Sequence, residues 1–277
     1  MYIKAFDKNL KCRGFQYEVG KTYTTDKEIE LCGHGFHFCD NLSNTLKYYR
    51  AYSRYCEIIP DNHIKKDECK YVTNSITIVR ELTLSEVIKK DTTGQWCFNY
   101  AYWVSGVDKE LLQAEVIKKD TTGEWGFSYA YLVPGADKEL LQAAVIKKDT
   151  TGQWCYNYAY FVPGADKELL QAAVIKKDIT GEWCCNYAKY ISGADRELLQ
   201  AAVIEKDITG EWCYDYAKYI HRADKKLLQA AVIEKDTTGE WCYNYACWIP
   251  GADRELLEYV AIEKDKTYNK NKGDKNG

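Results

Sequence analysis

The residues with the most chemical capacity sit in one short stretch, Cys32-Gly-His34-Gly-Phe-His37-Phe-Cys39, with Cys12, Cys56 and Cys69 in the same segment of chain. Thiolates and imidazoles ligate zinc, but a zinc site needs four ligands, usually from paired Cys-x2-4-Cys or His-x3-5-His knuckles. Six residues separate Cys32 from Cys39 and no second knuckle follows, so no metal is expected. In an extended strand Phe36 and Phe38 face one side while His37 and Cys39 face the other. No nucleophile elbow, Walker loop or HExxH motif occurs, which leaves the common hydrolase, nucleotidase and metalloprotease chemistries without support.

The elements that must carry these residues follow from the whole chain. Its 277 residues are 46% hydrophobic and 29% charged, a globular composition rather than a disordered or fibrous one. The net charge of -3 argues against a nucleic-acid binder held by bulk electrostatics. No stretch approaches the roughly 20 apolar residues that span a bilayer. The opening MYIKAFDKNLK lacks the order of a signal peptide. The twelve cysteines are therefore expected as free thiols in a reducing cytoplasm.

Residues 1–86 predict an α+β domain. Strands are expected at Tyr2–Phe6, Gly14–Glu18, Glu28–Leu31, Gly35–Cys39, Arg54–Ile59 and Tyr71–Arg80, with one helix over Asn41–Tyr52. From Val87 the chain repeats: VIKKDTTGQW recurs with drift at Val116, Val145, Val174, Val203 and Val232. The period is 29 residues, and six full units fill 87–260. A truncated copy at Ala261 passes into a polar tail over 261–277, expected to be disordered.

A fixed period of this size marks stacked supersecondary units. Each unit reads as a helical hairpin. The first helix starts at an aspartate N-cap such as Asp137, ahead of Leu140, Leu141, Ala144 and Val145. The second follows Asp-Thr-Thr-Gly, with Asp149 or Thr151 as its cap, and places Trp154, Cys155, Tyr158, Ala159 and Val162 at helical spacing. Pro163 and Gly164 end it. The fold class is thus an α+β domain followed by an all-α solenoid of six hairpins. The tryptophans from Trp96 to Trp241 are expected to form a ladder inside the stack. Cys97, Cys155, Cys213 and Cys242 are expected to fill core, since helices about 8–10 Å apart hold equivalent thiols beyond disulfide reach.

Variation among the copies points to a surface. One column of the second helix runs Tyr102, Tyr131, Tyr160, Lys189, Lys218 and Cys247. Beside it, three residues earlier, run Asn99, Ser128, Asn157, Asn186, Asp215 and Asn244. Stacking turns columns into stripes, and solenoids bind partners along such faces. A protein partner is the leading expectation. Single-stranded RNA, which also uses aromatics beside cations, ranks behind because the array holds more acidic than basic residues.

The segments FDKNLKCRGFQYEVGKTY and LCGHGFHFC, followed by a tyrosine-rich stretch, resemble a small domain of phage and bacterial proteins with unknown function. Some of those proteins carry helical repeats similar to the present ones. A second resemblance lies in GFHFCDNLSNTLKY, Gly35–Tyr48, which is similar to a strand and helix of the poly-ADP-ribosyltransferase fold. It implies NAD as cofactor, Tyr48 stacking on nicotinamide, Arg13 at the first NAD contact and His37 on the same strand. The acid that would stabilise an oxocarbenium-like sugar would then be Glu68, because Lys70 occupies the matching place.

Overall fold

The computed structural model describes residues 2–273, with side chains through Lys266. It contains an α+β region followed by an all-α series of hairpins. Compactness divides the chain into Met1–Leu141 and Gln142–Gly277. Strands end at Glu81 and the first repeat helix starts at Leu84, yet the first hairpins belong to the same unit as the strands. One reason is Trp96, 1% exposed, whose ring meets Tyr55 edge-on at 6.2 Å.

In the first unit, β1 (Tyr2–Phe6), β6 (Arg54–Pro60), β9 (Ser75–Glu81) and β4 (Thr22–Thr24) form an antiparallel sheet in the order β1-β6-β9-β4. A bulge between Glu57 and Ile58 shifts the β6–β9 register. A second sheet has β5 (Phe36–Phe38), β8 (Tyr71–Thr73) and β7 (Ile64–Lys66), and β2 (Lys11–Cys12) with β3 (Phe15–Gln16) make a small hairpin. The isolated bridge Ile3–Cys39 ties β1 to the end of β5. Phe6, Tyr17, Phe36, Phe38, Ile76 and Ile78 build the core between these layers.

Three local expectations are corrected. Glu28–Leu31 forms no strand; Ile29 is buried as a plug, and its carbonyl accepts Lys65 Nζ at 2.7 Å. The helix expected over 41–52 is only α1 (Leu42–Thr45), capped by Asn41. The Thr45 hydroxyl donates back to Leu42 O, while Tyr48 N and Tyr49 N both turn onto Thr45 O, so the chain leaves as turns. The long strand over 71–80 breaks at Asn74 because Thr73 Oγ1 bonds Ser75 and Asp61, turning the chain from one sheet into another.

The helices run α2 (Leu84–Lys90), α3 (Gln95–Trp103), α4 (Lys109–Lys119), α5 (Glu124–Leu132), α6 (Lys138–Lys148), α7 (Gln153–Phe161), α8 (Lys167–Lys177), α9 (Glu182–Tyr190), α10 (Arg196–Lys206), α11 (Glu211–Tyr219), α12 (Lys225–Lys235), α13 (Glu240–Trp248) and α14 (Arg254–Gly273). Within the second unit the hairpin logic is plain. Asp166, Asp195 and Asp224 cap the first helices with their side chains. At the second helices the N-cap residue is a glycine in the left-handed region, such as Gly152 at φ 88°. The capping oxygen comes from Asp149, three residues earlier, which accepts the N–H groups of Thr151, Gly152 and Cys155.

Neighbouring hairpins are joined by polar staples as well as apolar contact. Gln171 Oε1 accepts Asp195 N at 2.8 Å, and Gln200 does the same for Asp224. Lys235 Nζ donates to Asp207 O at 2.7 Å, and Lys177 reaches Asp149 O in the same manner. The thiols of Cys155, Cys184, Cys213 and Cys242 are buried, as the repeat pattern predicts. The aromatic ladder differs from expectation. Tyr158, Tyr187, Tyr216 and Tyr245 are fully buried, whereas Trp154, Trp183, Trp212 and Trp241 are half-buried. The tyrosine column goes deeper because its hydroxyl has a partner there: Tyr187 donates to Lys167 O at 2.6 Å and Tyr216 to Arg196 O at 2.5 Å.

Helix α14 continues through Gly273, beyond the truncated copy at Ala261. The last four residues of the expected polar tail lie outside the described residues. No helix among the described residues is long and apolar enough to cross a membrane.

Candidate functional site: a cationic cavity and an aromatic edge

A cavity of about 670 Å³ opens in the strand-rich region. Strand β1 supplies Lys4, β5 supplies His37, and Lys70 stands just before β8. Arg13 lies in the β2–β3 turn at φ 49°. Tyr48 and Tyr49 enter from the turns after α1. The glycine-rich loop is shaped by backbone demands: Gly35 has φ 108°, and a Cβ there would meet Val72 Cγ2 at 2.6 Å. His37 fastens this loop by accepting Cys32 N at Nε2, 3.1 Å.

The walls are basic and aromatic. Lys4 is 3% exposed and donates to His37 O at 2.6 Å, with the faces of Phe6 and Tyr17 each 5.5 Å away. Burial pushes its ammonium below the ordinary lysine range. Lys70 is 7% exposed, 2.6 Å from Cys32 Sγ, and lies over the Tyr48 ring at 5.0 Å. Burial, then the charges of Lys4, Lys70 and Arg13, push His37 down to about 4. Burial pushes the Cys39 thiol up to about 12. The Tyr49 hydroxyl is also raised, by burial and by its 2.7 Å contact with Cys12 Sγ.

The cavity brings together Arg13, His37 and Tyr48. It does not bring in Glu68, which is exposed and lines no part of the wall. No acidic side chain lines the cavity among the described residues. The carboxylate on which sugar transfer would rest is therefore absent from this wall, whose charged side chains are basic. Among the described residues, no group of three His, Cys, Asp or Glu side chains is placed to hold a metal ion.

In the repeats, Tyr102 and Tyr131 are exposed in the first unit, and Tyr160 and Lys218 in the second. Lys189 is half-buried, as are Asn99, Asn157 and Asn186. Asn99 spends its amide on Gln95 O, 2.9 Å, inside its own helix. A neighbouring column belongs to none of the stripes expected from the sequence: the last residue of each second helix. In the first unit it holds Trp103 and Leu132, and in the second Phe161, Tyr190, Tyr219 and Trp248, all exposed. The first leucine of each Leu-Leu pair, such as Leu169, Leu198 and Leu227, is also exposed. Both columns flank the loop between second and first helices. The available signal was an apolar residue in every copy where solvent exposure would tolerate a polar one.

In the second unit, lysines interleave with this aromatic edge. Lys189 Nζ lies 3.7 Å from the Tyr219 ring centroid and 5.1 Å from that of Tyr190. Lys218 lies 5.3 Å from Tyr219 and 5.8 Å from Trp248, and donates to Tyr214 Oη at 2.8 Å. The half-buried Asp215 carboxylate lies close enough to feel both charges, so the edge is aromatic and its lysines sit near an acid.

Fold and sites together define a helical-hairpin repeat protein with an α+β domain at its start and a cationic cavity in that domain. Residues 1–90 match the family model described as "Domain of unknown function (DUF7666)". No curated protein and no solved structure matches the chain.

Proposed function

We propose that the repeat array is a protein-interaction scaffold whose aromatic–basic edge docks an acidic, extended segment of a partner protein. The observation that carries this reading is the run of exposed Phe161, Tyr190, Tyr219 and Trp248 interleaved with Lys189 and Lys218. Tyrosine and tryptophan give large contact area at low entropic cost, and they dominate binding energy where they are desolvated. The lysines add selectivity for negative charge. Buried thiols in nearly every hairpin suit a reducing cytoplasm, and a phage or bacterial setting belongs to the same proposal through the first resemblance.

The test uses labelled peptides of equal length, one set alternating Asp or Glu with Leu or Phe, the other alternating Lys with the same apolar residues. The full chain should bind the acidic set. Tyr190→Ala with Tyr219→Ala, or Lys189→Glu with Lys218→Glu, should lower that affinity at least tenfold. Equal binding of both sets, or tighter binding of single-stranded RNA than of any peptide, would sink the proposal.

A further inference from the structure

Two lysines in the cavity wall pose a charge problem. Lys4 and Lys70 are both more than nine-tenths buried. Neither has a carboxylate partner among the described residues. What they touch is a backbone carbonyl, thiol sulfurs and ring faces. A buried ammonium without a counter-charge is among the most expensive features a fold can keep. The same wall adds Arg13, whose guanidinium donates to Cys32 O at 3.3 Å, and His37.

From this arrangement we propose that the cavity binds a phosphomonoester dianion whose organic remainder carries a planar ring. Two desolvated cations call for two negative charges delivered together, which one phosphate group supplies along with three acceptor oxygens. A single carboxylate would leave one lysine unmatched. Phe15 and Tyr48 line the same cavity and are each 47% exposed, so ring faces remain for the remainder to stack on. The volume lies within the range of small-molecule sites, about 300–1,000 Å³. A nucleoside monophosphate and a phosphotyrosine share this chemistry.

The experiment is calorimetric titration of the full chain with adenosine monophosphate, O-phosphotyrosine, inorganic phosphate, succinate, adenosine and tyrosine. One of the two ring-bearing phosphates should bind at least tenfold more tightly than inorganic phosphate, and the uncharged or dephosphorylated rings should fail to bind. Which of the two wins distinguishes a nucleotide source from a phosphotyrosine source. Lys70→Gln and Arg13→Gln should each weaken binding at least tenfold. Arg13 is exposed, so its variant keeps the test open should Lys70→Gln unfold. Succinate binding as tightly as either phosphate, absence of binding by both ring-bearing phosphates, or an Arg13→Gln protein that binds unchanged would overturn the proposal.

Discussion

Asp149 Oδ2 accepts the backbone N–H of Cys155 at 2.8 Å, across six residues, and so begins one helix while the same residue's N–H closes the previous one on Val145 O. The aspartate is 1% exposed. Its other oxygen takes Thr151 N and Gly152 N. The later second helices α9, α11 and α13 start the same way, through Asp178, Asp207 and Asp236. Asp178→Ala would leave three N–H groups without their acceptor, at a cost of about 2–4 kcal/mol. Thermal unfolding followed by circular dichroism should show a matching fall in Tm, and a fall no larger than that of a surface variant would refute the role.

Tyr187 and Tyr190 are the same residue type one helical turn apart, with opposite roles. Tyr187 is buried and donates to Lys167 O; Tyr190 is 49% exposed. Tyr187→Phe is expected to cost about 1 kcal/mol through the lost hydrogen bond. Tyr190→Ala should stay within about 0.5 kcal/mol on stability while weakening peptide binding. Denaturant titration of both variants, beside the binding assay, checks the pair.

Arg222 sits at φ 65°, where the other loops of this type place Gly106, Gly135, Gly164, Gly193 and Gly251. A side chain in the left-handed region costs about 1 kcal/mol or more. Glycine takes that conformation freely, at some entropic expense. Arg222→Gly should therefore raise stability by about 0.5–1 kcal/mol. A lower midpoint in urea would show that the arginine makes a compensating contact.

His37 gives the strand-rich region a defined acid sensitivity. Its imidazole is held down to about 4 from the ordinary 6.5, by burial first and then by Lys4, Lys70 and Arg13. The unfolded chain binds the proton more readily than the folded one in this window. Stability from His37 is thus complete above pH 6.5 and is lost as pH falls toward about 4. His37→Gln keeps an acceptor for Cys32 N and should flatten the Tm–pH curve in that range. An unchanged curve would assign the acid sensitivity to other groups.

What the sequence determined by itself is what local rules and repetition control. The 29-residue period, the aspartate caps and the buried Val, Leu and Cys columns are legible because each hairpin meets a near-copy of itself, so packing repeats with the letters. Strand β1 is read correctly at Tyr2–Phe6 for a related reason, as a short apolar run with little helical alternative. The helix expected over 41–52 misled, since Thr45's hydroxyl and the Tyr48–Tyr49 turns compete with helical bonds in a way composition does not show.

The tertiary structure alone decided that the tyrosine column of Tyr187 lies deeper than the tryptophan column of Trp183. Both are aromatic, and only the carbonyl waiting for Tyr187's hydroxyl separates them. It also decided that Lys4 and Lys70 share one cavity while Glu68 stays out. Lys4 stands on β1 and Lys70 at the entry to β8; the Ile3–Cys39 bridge and the β5–β8 pairing bring them together. Neither lysine belongs to a motif. Their meaning comes from being buried without a counter-charge, and burial is a property of the folded neighbours rather than of the residue.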